Sequence, residues 1–115
     1  MTEYVEDVIE SYNSYIEGIG KGSLLVAKML KEDRTLEAFQ MITDFSEGVT
    51  WLIQAANLLR KNNVRVELEI AKMNEFLSEI NSGLEIQDYV LVADLFEYEI
   101  TPFFEEYRPI EKSKA

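Results

Sequence analysis

Along the first thirty residues, apolar side chains recur at alternating steps of three and four: Val5, Ile9, Tyr12, Ile16, Ile19, Val26 and Leu30, with the small Ser23 completing the series. This is the spacing of one face of an α-helix, and it predicts a first helix over about residues 3–32. Thr2 can cap its start, and Glu3, Glu6 and Asp7 suit the positive end of its dipole. Gly18, Gly20 and Gly22 interrupt the run, each costing about 1 kcal/mol against alanine. The stripe keeps its phase across them, which favours one long helix, with or without a bend, over two short ones. Gly22 and Ser23 lie near the stripe and would permit close approach of a neighbouring helix. A phosphate loop would need a strand before the glycines, and no strand pattern precedes Gly18.

The same spacing in Ala38, Met41, Ile42, Phe45, Val49, Leu52, Ala56 and Leu59 predicts a second helix over about 35–60, capped by Asp33 or Thr35. Lys61, Asn62 and Asn63 then form a polar turn. A third helix over about 65–81 follows from Val66, Ile70, Met73, Leu77 and Ile80. A competing signal overlaps its start: Val64, Val66, Leu68 and Ile70 alternate with Arg65, Glu67 and Glu69, which is strand period. Helix is preferred because its spacing continues for three more turns and no second strand is present to pair. Gly83 is the expected left-handed cap. Asp88 can open a fourth helix, over about 88–107, with a kink expected at Pro102, which deletes one backbone hydrogen bond and crowds the preceding turn. Residues 108–115 should fray. Four amphipathic helices with short connections predict one all-α domain over residues 1–115, an antiparallel up-down-up-down four-helix bundle with a kinked last helix.

Composition then narrows the chemistry. The chain has no cysteine and no histidine. Disulfides, thiolate nucleophiles, zinc–thiolate sites and Ser-His-Asp catalysis are thereby removed, and no cofactor or transition metal is expected. The net charge is −11, from 22 acids against 11 bases, and the bases are interleaved with acids. Nucleic acid and anionic membrane surfaces are disfavoured as partners, while a basic protein surface would be attracted. The longest apolar run, Tyr89 to Ala93, is five residues, far short of a membrane span. With an acidic start unlike a signal peptide, the expected location is the cytoplasm.

Two features depart from simple amphipathicity. On a regular fourth helix, Asp94, Glu97, Thr101 and Glu105 share the polar face, and Glu99 falls opposite, among Val92, Leu95, Phe96 and Phe103. Glu99 is therefore expected to be a buried carboxylate anchored by a hydrogen bond or an ion pair. It is the only attractive residue for carboxylate catalysis. The series Tyr89, Phe96, Tyr98, Phe103, Phe104 and Tyr107 reads as core. The second feature is apolar residues on polar faces. Trp51 and Leu58 stand two turns apart beside Gln40, Asp44, Glu47 and Gln54, while Leu24 and Leu25 leave the first stripe and Leu68 the third. Trp51, Leu58, Leu24 and Leu25 are the candidate partner-binding residues, with Trp51 as anchor. Asp94 and Glu97 carry only a weak hard-cation signal.

The segment Asp88-Tyr-Val-Leu-Val-Ala-Asp-Leu-Phe-Glu-Tyr-Glu-Ile-Thr-Pro102 has the form Asp-Tyr-x-x-x-Ala-Asp-x-x-Glu-Tyr-Glu-x-x-Pro. It resembles the ending of a family of short, uncharacterised helical proteins of Gram-positive bacteria. Glu47-Gly48-x-x-Trp51 is similar to that family as well, and the likeness spans about Tyr15 to Tyr107. The resemblance implies a helical fold and a bacterial origin but no mechanism. Size, acidity and layout more loosely resemble flagellar export chaperones. The expected function is a non-enzymatic protein-interaction module, an adaptor or export-chaperone-like bundle. The alternatives are a structural homodimer, and an enzyme or ligand-binding protein using Glu99.

Overall fold

Residues 2–111 are described by a computed structural model. Helix α1 spans Glu3–Lys31, and its start is capped by Thr2, whose hydroxyl accepts from the Val5 amide at 3.2 Å. It runs without a break through Gly18, Gly20 and Gly22. Helix α2 spans Thr35–Lys61 and α3 spans Ile70–Glu85. Helix α4, Tyr89–Leu95, continues through a π-helical turn, Phe96–Ile100, into α5, Thr101–Glu105. These last three pieces make the fourth helix. The molecule is all-α, with no strand among the described residues, and none of its helices is long and apolar enough to cross a membrane.

Each of α1, α2 and α3 ends in the same way. One residue past the cap takes a left-handed conformation: Asp33 (φ 59°), Asn63 (φ 63°) and Gln87 (φ 55°). Its amide and the next one reach back to carbonyls of the last turn, as in Arg34 to Met29 at 2.9 Å, Val64 to Leu59 at 2.9 Å and Asp88 to Gly83 at 2.9 Å. This is the Schellman arrangement, which satisfies carbonyls that a helix end leaves open. Asp33 is thus spent on ending α1, and α2 begins after Arg34 with no side-chain cap. Gly83, expected as the left-handed cap, lies inside α3 instead. A Cβ there would come within 2.6 Å of a Val92 methyl, so this glycine serves the close crossing of α3 and α4.

The expected third helix starts five residues too early and ends too soon. Residues 64–69 are extended: Val64, Val66 and Leu68 are buried, and Arg65, Glu67 and Glu69 are exposed. Here the strand-period alternation prevails. An extended segment with no partner strand leaves carbonyls unsatisfied. Arg60, in the last turn of α2, donates to the Val66 carbonyl at 2.9 Å and to that of Leu68 at 2.8 Å. Leu68 consequently belongs to the core, not to a polar face.

The helices pair in opposite directions. Tyr12 of α1 meets Tyr107 at 3.0 Å between hydroxyls, while Lys31 at the other end of α1 binds Glu97 at 2.8 Å. Phe76 of α3 packs on Phe103, and Gly83 on Val92. Phe45 of α2 joins Phe96 and Phe104, with ring centroids 5.1 and 6.4 Å apart. Beyond α5 the chain is pinned to α1. Asn13 donates to the Ile110 carbonyl at 2.9 Å and accepts from its amide at 2.8 Å. Ile110 is therefore held within the stretch expected to fray, and residues 112–115 of the expected tail lie outside the described residues.

Candidate functional site: the groove between α1 and α2

Beside its buried stripe, α1 carries a second series at steps of three and four: Tyr15, Gly18, Gly22, Leu25 and Met29. The matching series on α2 is Met41, Asp44, Gly48, Trp51, Ala55 and Leu58. Between the two helices lies an open groove of about 570 Å³. Its floor includes Ile19, Val26, Met41 and Phe45, and its polar groups come from Ser11, Ser14, Tyr15 and Asp44. Ser23 also lines it, but its hydroxyl is spent on the Ile19 carbonyl at 2.7 Å.

The glycines along this groove differ in what they do. At Gly48 a Cβ would fall inside the Tyr15 phenol, with its Cε1 at 2.8 Å, so only glycine lets this ring lie across α2. Trp51 then packs on Tyr15 with ring centroids 5.8 Å apart. The Glu47-Gly48-x-x-Trp51 motif is in this way a seat for Tyr15. Burial raises the pKa of the Tyr15 phenol, and the carboxylates of Asp44 and Glu47 raise it further. At Gly18 and Gly22, by contrast, a Cβ would meet nothing within 4 Å. No packing among the described residues calls for glycine at either position, although each weakens α1. Of the pair expected to admit a neighbouring helix, Ser23 is buried, and Gly22 has no such helix against it among the described residues.

The four candidate partner-binding residues are divided. Trp51 is 37% exposed at the edge of the α1–α2 groove. Leu25 is exposed on the same side of α1, and Leu58 is half-buried two turns beyond Trp51. Leu24 lines a separate groove on the other side of α1, with Gly20, Lys21, Phe104 and Pro109.

Glu99 is exposed, which corrects the expectation of a buried anchor. The cause is the π turn. Val92, Phe96, Ile100 and Phe104 are all buried and stand four residues apart. In a regular helix each step of four overshoots a full turn by about 40°, so these residues would spiral off the core. The wider turn, in which the Thr101 amide donates to the Phe96 carbonyl five residues back, restores their phase. Glu99 and Tyr98 rotate outward and Thr101 rotates inward. The Thr101 hydroxyl is buried and finds no hydrogen-bond partner among the described residues. The turn also lies directly ahead of Pro102, which takes its place in the first turn of α5, at the point where the regular helix is interrupted.

Around the outward residues, a smaller groove of about 350 Å³ between α3 and the fourth helix is lined by Glu79, Asp94, Tyr98 and Glu99. Burial, then the Glu99 and Glu75 carboxylates, raises the pKa of Glu79. Among the described residues no group of acids is arranged to hold a metal ion. Asp94 and Glu97, the weak hard-cation pair, are separated by function: Glu97 is held by Lys31, whose hydrogen bond lowers its pKa.

Sequence reasoning missed another surface. Leu36, Val90 and Ile86 are 84, 72 and 70% exposed near the ends of helices that meet where Phe39 packs on Tyr89 at 5.5 Å. The signal was the run Tyr89 to Ala93, since five consecutive apolar residues on a helix cannot all face inward.

No curated protein and no solved structure matches this chain. A family model described as a domain of unknown function, DUF8042, matches residues 7–110, from the second turn of α1 to the residue held by Asn13. The chain, with its α1–α2 groove and its π-turned fourth helix, belongs to the DUF8042 family.

Proposed function

We propose that the protein is a non-enzymatic interaction module whose α1–α2 groove receives an apolar helix of another protein. The observation that carries this reading is the empty space over Gly18 and Gly22. Two residues that weaken α1 by about 1 kcal/mol each flank an apolar floor, and a Cβ on either would meet nothing within 4 Å among the described residues. Helix-in-groove recognition uses such a floor, with apolar anchors of the ligand at helical spacing. Trp51 and Leu25, at the edges, add the kind of apolar side chain that anchors interfaces. Glu99, the residue that would have argued for an enzyme, is exposed on the far helix. An adaptor or export-chaperone-like role in the cytoplasm fits this reading, because both require a groove that accepts a helix.

Affinity capture from the host tests it, comparing the wild-type chain with Gly22→Trp, which fills the groove from an uncrowded position. Both proteins should give the same helical circular dichroism. The wild type should recover a partner that Gly22→Trp does not. Equal recovery of that partner by the two folded proteins would mean that the groove is not the docking site.

A further inference from the structure

Resting on the reading of the α1–α2 groove as a docking site, we infer that its occupant is a cationic amphipathic helix of another protein, crossing α1 at Gly18 and Gly22 and setting Lys or Arg side chains against α2. The argument begins with the charges on the two walls. From Leu36 to Leu59, α2 contains no Lys or Arg. Asp44 lines the groove and Glu47, close enough to Tyr15 to raise its pKa, stands one turn further along α2, and for neither is an ion pair present among the described residues. Among the described residues Asp44 accepts only a neutral hydrogen bond, from Gln40 at 3.1 Å. Arg34, the nearest base before this stretch, is engaged by Glu37 and Glu32. On α1, Lys21 lines the opposite groove, and Lys28 stands two turns along the same face, so neither neutralises this wall. The groove thus joins an apolar floor to an uncompensated acidic rim.

A cationic amphipathic helix matches both parts. Its apolar face covers Ile19, Val26, Met41 and Phe45, and its flanking ammonium or guanidinium groups reach Asp44 on the lining and the exposed Glu47 one turn along α2. The bare backbone at Gly18 and Gly22 lets the two helix axes approach more closely than larger side chains permit. A net charge of −11 extends the attraction beyond contact range. The same charge opposes a second copy of this chain, which would bring one acidic α2 wall against another.

The test is a titration of the full chain with three designed amphipathic peptides that share one Leu/Ala face and lack tryptophan. Their flanks are Lys, Gln or Glu. Trp51, the sole tryptophan, reports binding by its emission, and the amide shifts of Gly18 and Gly22 report the place. The Lys peptide should shift both glycines and bind at least about tenfold more tightly than the Glu peptide, with affinity falling as salt rises. Reversing the wall with Asp44→Lys and Glu47→Lys, both exposed positions, should invert that preference. Equal shifts with Lys and Glu peptides would overturn the charge assignment and leave the groove reading standing. No shift at Gly18 or Gly22 with any peptide would overturn both. Glycine shifts that grow with protein concentration alone, together with sedimentation as a dimer, would make a second copy the occupant and overturn the inference.

Discussion

Gly48 holds the Tyr15 phenol where a Cβ would sit, while Gly18 and Gly22 hold nothing. One substitution therefore has two signs. Gly48→Ala should lower stability by about 1–3 kcal/mol, because the ring or α2 must shift. Gly18→Ala and Gly22→Ala should each raise it by about 0.5–1 kcal/mol, the gain of alanine over glycine in a helix. Urea unfolding of the three variants decides the matter; a loss of stability at Gly18 or Gly22 would reveal an internal role for them and weaken the docking account. None of this contrast was legible beforehand, since the three residues look alike in the sequence. A similar exchange concerns Glu99 and Thr101. Thr101→Val removes a buried hydroxyl without a partner and should stabilise by about 1 kcal/mol. Glu99→Gln should stay within about 0.5 kcal/mol of wild type, as exposed substitutions do. A strongly destabilised Glu99→Gln would restore the buried anchor read from the sequence.

At the scale of elements, helical period located α1 and α2 well because their buried stripes are long and regular. It failed in two places, for different reasons. A fixed rotation per residue misplaces the fourth helix's side chains because a π turn breaks the regular phase; the signal in the sequence is the repeated step of four from Val92 to Phe104. Residues 65–69 read as helix in the sequence because the three-four spacing continues beyond them and no partner strand is visible. Their partner is a side chain, Arg60, which no periodicity displays. The extended segment makes a clear prediction. Leu68→Ala should cost about 2–5 kcal/mol, as for a large side chain lost from a core. Arg60→Met, which keeps the stem and deletes both donors, should cost about 1–3 kcal/mol. On a continuous helix from residue 65, Leu68 would face water and the first change would be close to neutral, so a silent Leu68→Ala would refute the extended segment.

Across the whole molecule, charge sets how stability varies with pH. Glu79 has a raised folded-state pKa, from burial and then from Glu99 and Glu75. Its protonated form is favoured by folding, so its contribution is present at low pH and is lost as pH rises through that folded value. Glu97 behaves oppositely: its pKa is lowered by Lys31, so its contribution is present above the ordinary carboxylate range and disappears as pH falls through the lowered value. Stability should therefore rise modestly from neutral pH towards the upper edge of carboxylate titration and fall in stronger acid. Glu79→Gln should raise Tm at neutral pH and flatten the rise, and thermal melts at several pH values would detect it; a steeper rise in the variant would contradict the assignment. The same acidity faces outward at the α1–α2 groove, where the molecule meets its surroundings. The most direct measurement of its central role is photocrosslinking in the host, with benzophenone-alanine in place of Leu25, exposed at the edge of the groove, and, as a control, in place of the exposed Asn74 on α3. The account predicts a discrete adduct at Leu25, formed with a different polypeptide and absent at Asn74. No adduct at Leu25, equal adducts at both positions, or an adduct made of two copies of this chain would contradict it.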